Sequence, residues 1–434
     1  MNQFTASLWG DEGWAVTLAV KPIWKIITIV AKDTSPPFYY LCQHTWMKIF
    51  STSEISIRAL SFLFFLITVL TVYLIGKHLW DKKTGLWAAV LTFFNPFLFI
   101  YAFEGRMYAA LLATSTLSVY FFLRKKRLGF VLSTAAALYS HHFAIFVVFW
   151  EFLWQIKRSW GQPIKKFILD FKDFFFIGLL YTPWIYPLYY QTSMVAGGFW
   201  LGKPTLETLI ETFRKFVVGS GKETSRIIAL GGVIFAMFLK KWLKDKEKTI
   251  FLIGWFLTPV MVTFFLSQVM QSIFYDRYML VAIPGFTLLI ASLRRKLSFI
   301  PIIVVIICLA TLNYHYFTHP TKRPFREFAA MVKKEAPGLT LINHSGAAHH
   351  LWETKYYGLN APIYSPQDLP FFVGTALMME GDIIKELPDA NELGVVTTAS
   401  AEEVSLPGYF LVETQQVGDI KFLRMKRNLE NKEK

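Results

Sequence analysis

The acidic pair Asp11-Glu12 and the later stretch Asp33-Thr-Ser-Pro-Pro-Phe-Tyr-Tyr40 stand just ahead of a long series of apolar segments. Carboxylates poised at a membrane surface are costly to keep there and need a chemical reason. Further along, ionisable residues recur at the ends of apolar runs: Arg58, Glu104 with Arg106, His141-His142, and Arg277 between Asp276 and Tyr278. Carboxylates can accept a proton, and guanidinium groups offer a planar, permanently charged fork to anionic oxygens. The residue types therefore point to catalysis at a membrane surface.

Composition sets the class of element that must hold these residues. With 54% hydrophobic and 17% aromatic residues over 434 positions, the chain is too apolar for one soluble core and reads as an all-α polytopic membrane protein. Apolar runs approach spanning length near 55–76, 84–101, 107–123, 128–140, 142–157, 173–190, 226–240, 249–267, 278–293 and 298–313, which gives about ten transmembrane helices. The net charge of +15 does not indicate nucleic acid, because the basic residues lie in short runs between apolar segments. Cys42 and Cys308 are far apart in sequence and suggest neither a disulfide framework nor a cysteine metal site.

If the segments alternate, the loops 77–83, 124–127, 157–167, 240–248 and 294–296 share one face. They carry nineteen Lys and Arg against Asp81, Asp245 and Glu247, so the positive-inside rule places them in the cytoplasm. The opposite face collects residues 1–54, Glu104 to Arg106, His141-His142, a long loop 191–225, Gln268 to Arg277 and the tail from about 314. Polar groups from loops distant in sequence then gather at one end of the bundle, as a shared cavity at the outer interface requires.

Lys21, Pro22 and Lys25 interrupt the apolar run after Gly13, which argues for helices lying in the interface plane over a spanning helix. At Pro36-Pro37 the chain is expected to be extended, with Pro37 opening the next helix. Beyond 314 the pattern changes to a short amphipathic helix, Arg326 to Lys334, and strands at 339–343, 394–398, 409–413 and 420–424. The expected organisation is a first extracytoplasmic loop (1–54), a transmembrane domain (55–313) and a small extracytoplasmic α/β domain (314–434).

In this order, the pieces Asp11-Glu12, Asp33 to Tyr40, Arg58-Ala-Leu-Ser61, Glu104-Gly-Arg-Met-Tyr-Ala109, Tyr139-Ser-His-His-Phe-Ala144 and Tyr275-Asp-Arg-Tyr-Met279 with Pro284 form a pattern. It resembles the integral-membrane glycosyltransferases of the C superfamily, in the branch of bacterial transferases related to protein O-mannosyltransferases and aminoarabinose transferases. Members of that family carry a transmembrane helix before the acidic pair, whereas ten residues precede Asp11 here, so a first helix upstream of Met1 is expected.

The resemblance implies transfer of a sugar from a polyprenyl-phosphate donor to a glycan, lipid or protein acceptor on the outer side of the cell membrane, with membrane lipids as surroundings and no nucleic acid. Asp11 is then the candidate general base for direct, inverting attack, with capping of the following helix as its structural reading. Glu12, its neighbour, points elsewhere on a helix. Asp33 would orient the acceptor or tune Asp11, or simply cap a turn. Arg106 and Arg277 are the phosphate candidates, each with a carboxylate nearby that would make a structural ion pair instead. Arg58 is a phosphate contact or an interfacial anchor. His141 and His142 could hydrogen-bond phosphate or sugar, and Glu104, Tyr275 and Tyr39 complete the set.

No metal site is expected at the histidines. His344, His349 and His350 in the tail read as a solvated surface, and no cofactor is called for, although the carboxylates could equally serve a divalent cation. The alternatives are an oligosaccharide transferase with a pyrophosphate-linked donor, and a non-enzymatic transporter or assembly subunit. Charges at helix ends and the lack of internal repeats argue against a transporter.

Overall fold

The computed structural model describes residues 1–219, 245–293, 299–344 and 346–428; the expected span 226–240 lies outside them. The chain divides into two compact units, one of Met1–Thr34, Tyr40–Ile57 and His319–Lys434, the other of Ser35–Tyr39 and Arg58–Thr318.

The second unit is helical. Glu54–Leu79, which runs into it, and Lys246–Val269 are each long and apolar enough to cross a membrane. The run expected at 84–101 is two helices, Lys82–Phe93 and Pro96–Ala102, bent by 66° and counting as a third span only if taken together. The cause is local. Asn95 caps the second helix, accepting from the Leu98 amide at 3.0 Å, and Pro96 follows at the first helical position. The other helices expected to span, among the described residues, are shorter or more polar than a straight crossing needs. The run expected at 173–190 is also divided: Ile164–Tyr181 starts earlier, after Pro163, and Pro183 sits in a single tight turn before Ile185–Ala196. Part of the expected loop 191–225 is a helix, Leu206–Val218, opened by reciprocal Thr205–Thr208 capping and closed by Gly219 at φ 76°.

Two features suit this unit to lipid. Leu70, Phe175, Leu179 and Phe265 are between 57% and 67% exposed, apolar surface that water would penalise and acyl chains would cover. Inside, hydroxyls join helices: Ser118 of Tyr108–Leu123 lies 2.8 Å from Thr134 of Arg127–Ser140 and donates at 2.8 Å to the buried Glu151 of Ala144–Ser159.

The first unit holds a six-stranded mixed sheet in the order β3-β2-β1-β4-β6-β5, with β1 Thr340–Asn343, β2 Ile363–Tyr364, β3 Ile383–Ile384, β4 Glu392–Thr397, β5 Tyr409–Val417 and β6 Ile420–Arg427. β4 pairs parallel with β1 and antiparallel with β6. One face buries Leu341, Val396 and Phe422 against Phe325, Phe328 and Val332 of the helix Phe325–Glu335; Ile342, Val395 and Leu423 pack with Val404 and Leu406 on the other. The tail is thus an α/β domain, with β2, β3 and the short helix Leu351–Tyr356 added to the elements read from sequence. The N-terminal segment belongs to the same unit, as helices Gly10–Ala19 and Ile23–Val30 broken at Lys21-Pro22, with Val20, Ile23 and Trp24 more than half exposed.

Within the helical unit, a Cβ on Gly85 would lie 2.5 Å from the Tyr73 carbonyl oxygen, and one on Gly76 would lie 2.7 Å from the Gly85 Cα. Small residues set this helix contact. Gly85→Val is expected to destabilise by about 1–3 kcal/mol, the usual scale of overpacking, and to lower the thermal unfolding temperature in detergent. Gly178→Ala, where an added Cβ meets nothing within 4 Å, should leave that temperature unchanged or slightly raised; equal behaviour of the two variants would refute the close approach.

Candidate functional site

The sequence candidates fall into both units, and each group has its own geometry. In the first unit Asp11 and Glu12 occupy the first turn of Gly10–Ala19, where the helix dipole favours negative charge. Trp9 holds the cap position and makes no side-chain cap bond, so Asp11 is a helical residue and not the cap. The two carboxylates diverge, as neighbours on a helix must. Asp11 is half-buried. Glu12 is fully buried and accepts from the Lys322 ammonium at 3.0 Å.

The helix is seated by contact as well as charge. A Cβ on Gly13 would lie 2.8 Å from the backbone oxygen of Trp352, and one on Gly10 would meet the Glu353 carboxylate at 3.4 Å. Glu353 is buried, 3.7 Å from the His350 Nδ1. Lys322 and Glu353 are the polar neighbours that sequence reading did not single out; both lie more than three hundred positions from Asp11, with no local signal tying them to it. Nearby, Arg326 pairs with Glu54 at 2.6 Å and donates to the Thr5 carbonyl at 2.9 Å, while the Tyr357 hydroxyl donates to Glu54 at 3.0 Å. Asp33 is half-buried in the turn after Ile23–Val30, its amide donating to the Val30 carbonyl at 3.1 Å.

The tail histidines are not a solvated group. His350 is buried, its ring 5.2 Å from that of Phe325, and burial holds the His349 imidazole below its ordinary value despite its bond to the Val373 carbonyl. Among the described residues, no three His, Cys, Asp or Glu side chains are grouped to hold a metal ion.

The second unit assembles the cationic candidates on aromatic rings. Asp276–Ala282 is a tight helical stretch, and it sets the Arg277 guanidinium 4.5 Å from the centre of the Tyr275 ring, 5.5 Å from Tyr108 and 5.9 Å from Tyr278. The Tyr278 ring lies 4.6 Å from His141, and Trp200 meets Tyr275 edge-on at 5.2 Å. Asp276 is bound by Lys215 of the helix Leu206–Val218 at 2.6 Å and accepts from the Arg277 amide at 2.7 Å. His141 Nδ1 accepts from the Phe143 amide at 3.1 Å, which places the proton of the neutral ring on Nε2. His142 turns elsewhere, bonding Gln191 at 2.8 Å.

Glu104 is buried beside the half-buried Arg106, whose amide donates to the Glu104 carbonyl at 2.7 Å. Tyr39 and Arg58 are both fully buried, with the Tyr39 hydroxyl 3.1 Å from Ser61, one turn beyond Arg58. Arg277, Tyr275 and His141 thus belong to one cluster, His142 to another.

Residues 34–186, less than half of the chain, match the family model described as dolichyl-phosphate-mannose-protein mannosyltransferase. The fold is similar to that of ArnT from Cupriavidus metallidurans in the apo state, with a TM-score of 0.66 at 11% identity, covering 97% of this chain and 94% of that one. ArnT from the same organism bound to undecaprenyl phosphate matches with a TM-score of 0.60 at 12% identity and the same coverage. The sequence matches no curated protein. The family match supports the resemblance read from the motifs, a membrane glycosyltransferase similar to the protein mannosyltransferases, and the likeness to ArnT extends the common fold over nearly the whole chain.

The Glu12–Lys322 pair can be tested by stability alone. Lys322→Met removes an ammonium from beside a buried carboxylate and is expected to cost up to about 3–5 kcal/mol, read from denaturation of the purified protein. Adding Glu12→Gln should return part of that loss. A Lys322→Met protein as stable as the parent would show that Glu12 is compensated by other groups.

Proposed function

We propose that this protein transfers a single hexose or pentose from a polyprenyl-phosphate carrier to a hydroxyl of a cell-envelope lipid, glycan or protein, on the outer face of the cell membrane and with inversion. The observation that carries the reading is the ring-held Arg277. The guanidinium lies within 6 Å of the Tyr275, Tyr108 and Tyr278 rings, which attract a cation, and its planar, permanently charged fork suits phosphate oxygens. The donor class is supported by the matched family, whose description names dolichyl-phosphate-mannose, and by ArnT, solved with undecaprenyl phosphate.

In this scheme the acceptor oxygen attacks the anomeric carbon and gives its proton to the Asp11 carboxylate. The bond from that carbon to the phosphate oxygen breaks, and its electron pair leaves with the phosphate. Arg277 meets the developing charge, with His141 able to donate from Nε2; Arg106 and Arg58 are the further cations assigned to the phosphate. Glu12 is held by Lys322; Asp11 is assigned the part of base and Asp33 that of orienting the acceptor. The acidic pair and the α/β domain are assigned to the exterior by the charge of the opposite loops.

Two variants test the roles with a labelled polyprenyl-phosphate sugar. Asp11→Asn keeps shape but loses the basic lone pair, so single-turnover transfer should fall by roughly 10²–10⁴ while donor affinity holds. Near-normal transfer would remove Asp11 as base and turn attention to Asp33. Arg277→Ala should lose about 2–4 kcal/mol of transition-state stabilisation, and Arg277→Lys less than that, because charge survives without the fork. Wild-type kinetics in a folded Arg277→Ala protein would make the residue structural.

A further inference from the structure

The strongest feature outside the proposed chemistry lies among the basic loops of the helical unit. A cavity of about 490 Å³ opens between the turn after Tyr108–Leu123 and the helices Ala144–Ser159 and Ile164–Tyr181. Six cations line it: Lys125, Lys126, Arg127, Arg158, Lys166 and Lys172. Its two carboxylates are already engaged, Asp173 with Arg127 at 2.9 Å and Asp170 as acceptor from Ser159 at 2.8 Å. The Arg158 guanidinium rests 5.5 Å over the Phe122 ring. A surplus of positive charge in one concave site calls for an anion.

A second cavity of about 390 Å³ adjoins it and is lined entirely by apolar side chains, among them Ile145, Phe146, Phe149, Phe152 and Val262. Phe174 lines both. Its ring stacks edge-on to Phe130 of the basic cavity at 5.4 Å and to Phe152 of the apolar one at 5.3 Å, forming their common wall. Ile145, Phe149 and Phe152 are 38–48% exposed, so the groove opens to the surroundings. A cationic cup bordered by an open apolar groove is the negative image of an amphiphile with an anionic head.

We infer that this pair of cavities binds an anionic glycerophospholipid, its phosphate among the lysines and arginines and one acyl chain along the Phe146–Phe152 groove. The charge selects the headgroup: a choline ammonium would be set among six cations, whereas a phosphoglycerol head brings a net negative charge. The groove selects a lipid over soluble phosphate, since burial of chain methylenes adds to the binding. The arginines and lysines concerned are separate from those assigned to the sugar donor, so the site stands or falls independently of the transfer reaction.

Native mass spectrometry of the full chain in a mild detergent tests this, with phosphatidylglycerol and phosphatidylcholine of the same acyl composition, and with inorganic phosphate and undecaprenyl phosphate as separate arms. Phosphatidylglycerol should bind roughly tenfold more tightly than phosphatidylcholine. Lys126→Ala with Arg158→Gln should abolish that preference, and Lys125→Ala with Lys126→Ala, on the exposed turn, should do the same if the first pair perturbs folding. Phe149→Ser should weaken retention of both lipids. Equal binding of the two lipids, or a preference that survives both double variants, would overturn the site. So would displacement by millimolar inorganic phosphate, which would make the ligand soluble, or stronger retention of undecaprenyl phosphate through the same residues.

Discussion

An ionised side chain taken out of water must be compensated close at hand, because desolvation costs several kcal/mol per ion. Glu12, with no exposure, meets that demand with Lys322. The pair ties the first helix to the segment just ahead of Phe325–Glu335, and other contacts of the unit reinforce it. Gly13 can then touch the Trp352 backbone, and Glu54 gathers Arg326 and Tyr357. Half-buried Asp11 owes its orientation to its neighbour, since anchoring Glu12 inward turns the adjacent carboxylate another way.

The helical unit meets the same constraint with aromatic rings and hydroxyls. Arg277 rests on three tyrosines, Asp276 is held by Lys215, and Glu151 accepts from Ser118. These supports fit a place where water is scarce, because a ring face offers negative potential without a counter-charge that would cancel the cation. An arginine so placed stays charged and oriented, which is what the proposed stabilisation of a departing phosphate asks of it.

Much of this was legible in sequence. The two long apolar helices, Glu54–Leu79 and Lys246–Val269, follow from the length of their apolar runs, the amphipathic helix near 326–334 and the main strands follow from periodicity, and the break between Gly10–Ala19 and Ile23–Val30 follows from Lys21-Pro22. Other features were written in local signals given too little weight. Asn95-Pro96 is a cap followed by a first-turn proline, and it divides a run whose hydropathy alone reads as continuous. Thr205 and Thr208 open a helix in what reads as loop because its buried face, Leu209, Thr212 and Phe216, is interspersed with charge. The two-residue strands β2 and β3 are too short for any periodic signal. The placement of the candidate site residues was legible only in part: Arg277 beside Tyr275 and Tyr278 is a matter of sequence adjacency, but Tyr108 and His141 under the same cluster, and Lys322 under Glu12, are tertiary facts.

The joining of residues 12 and 322 also has a consequence in time. Ribosomes add about 5–20 residues per second, and 310 positions separate Glu12 from Lys322, so the carboxylate waits roughly 15 to 60 seconds for that ammonium. Throughout that interval the first helix lacks both the Lys322 ammonium and its seat against Trp352. The part of this unit that is synthesised first is therefore among the last to mature.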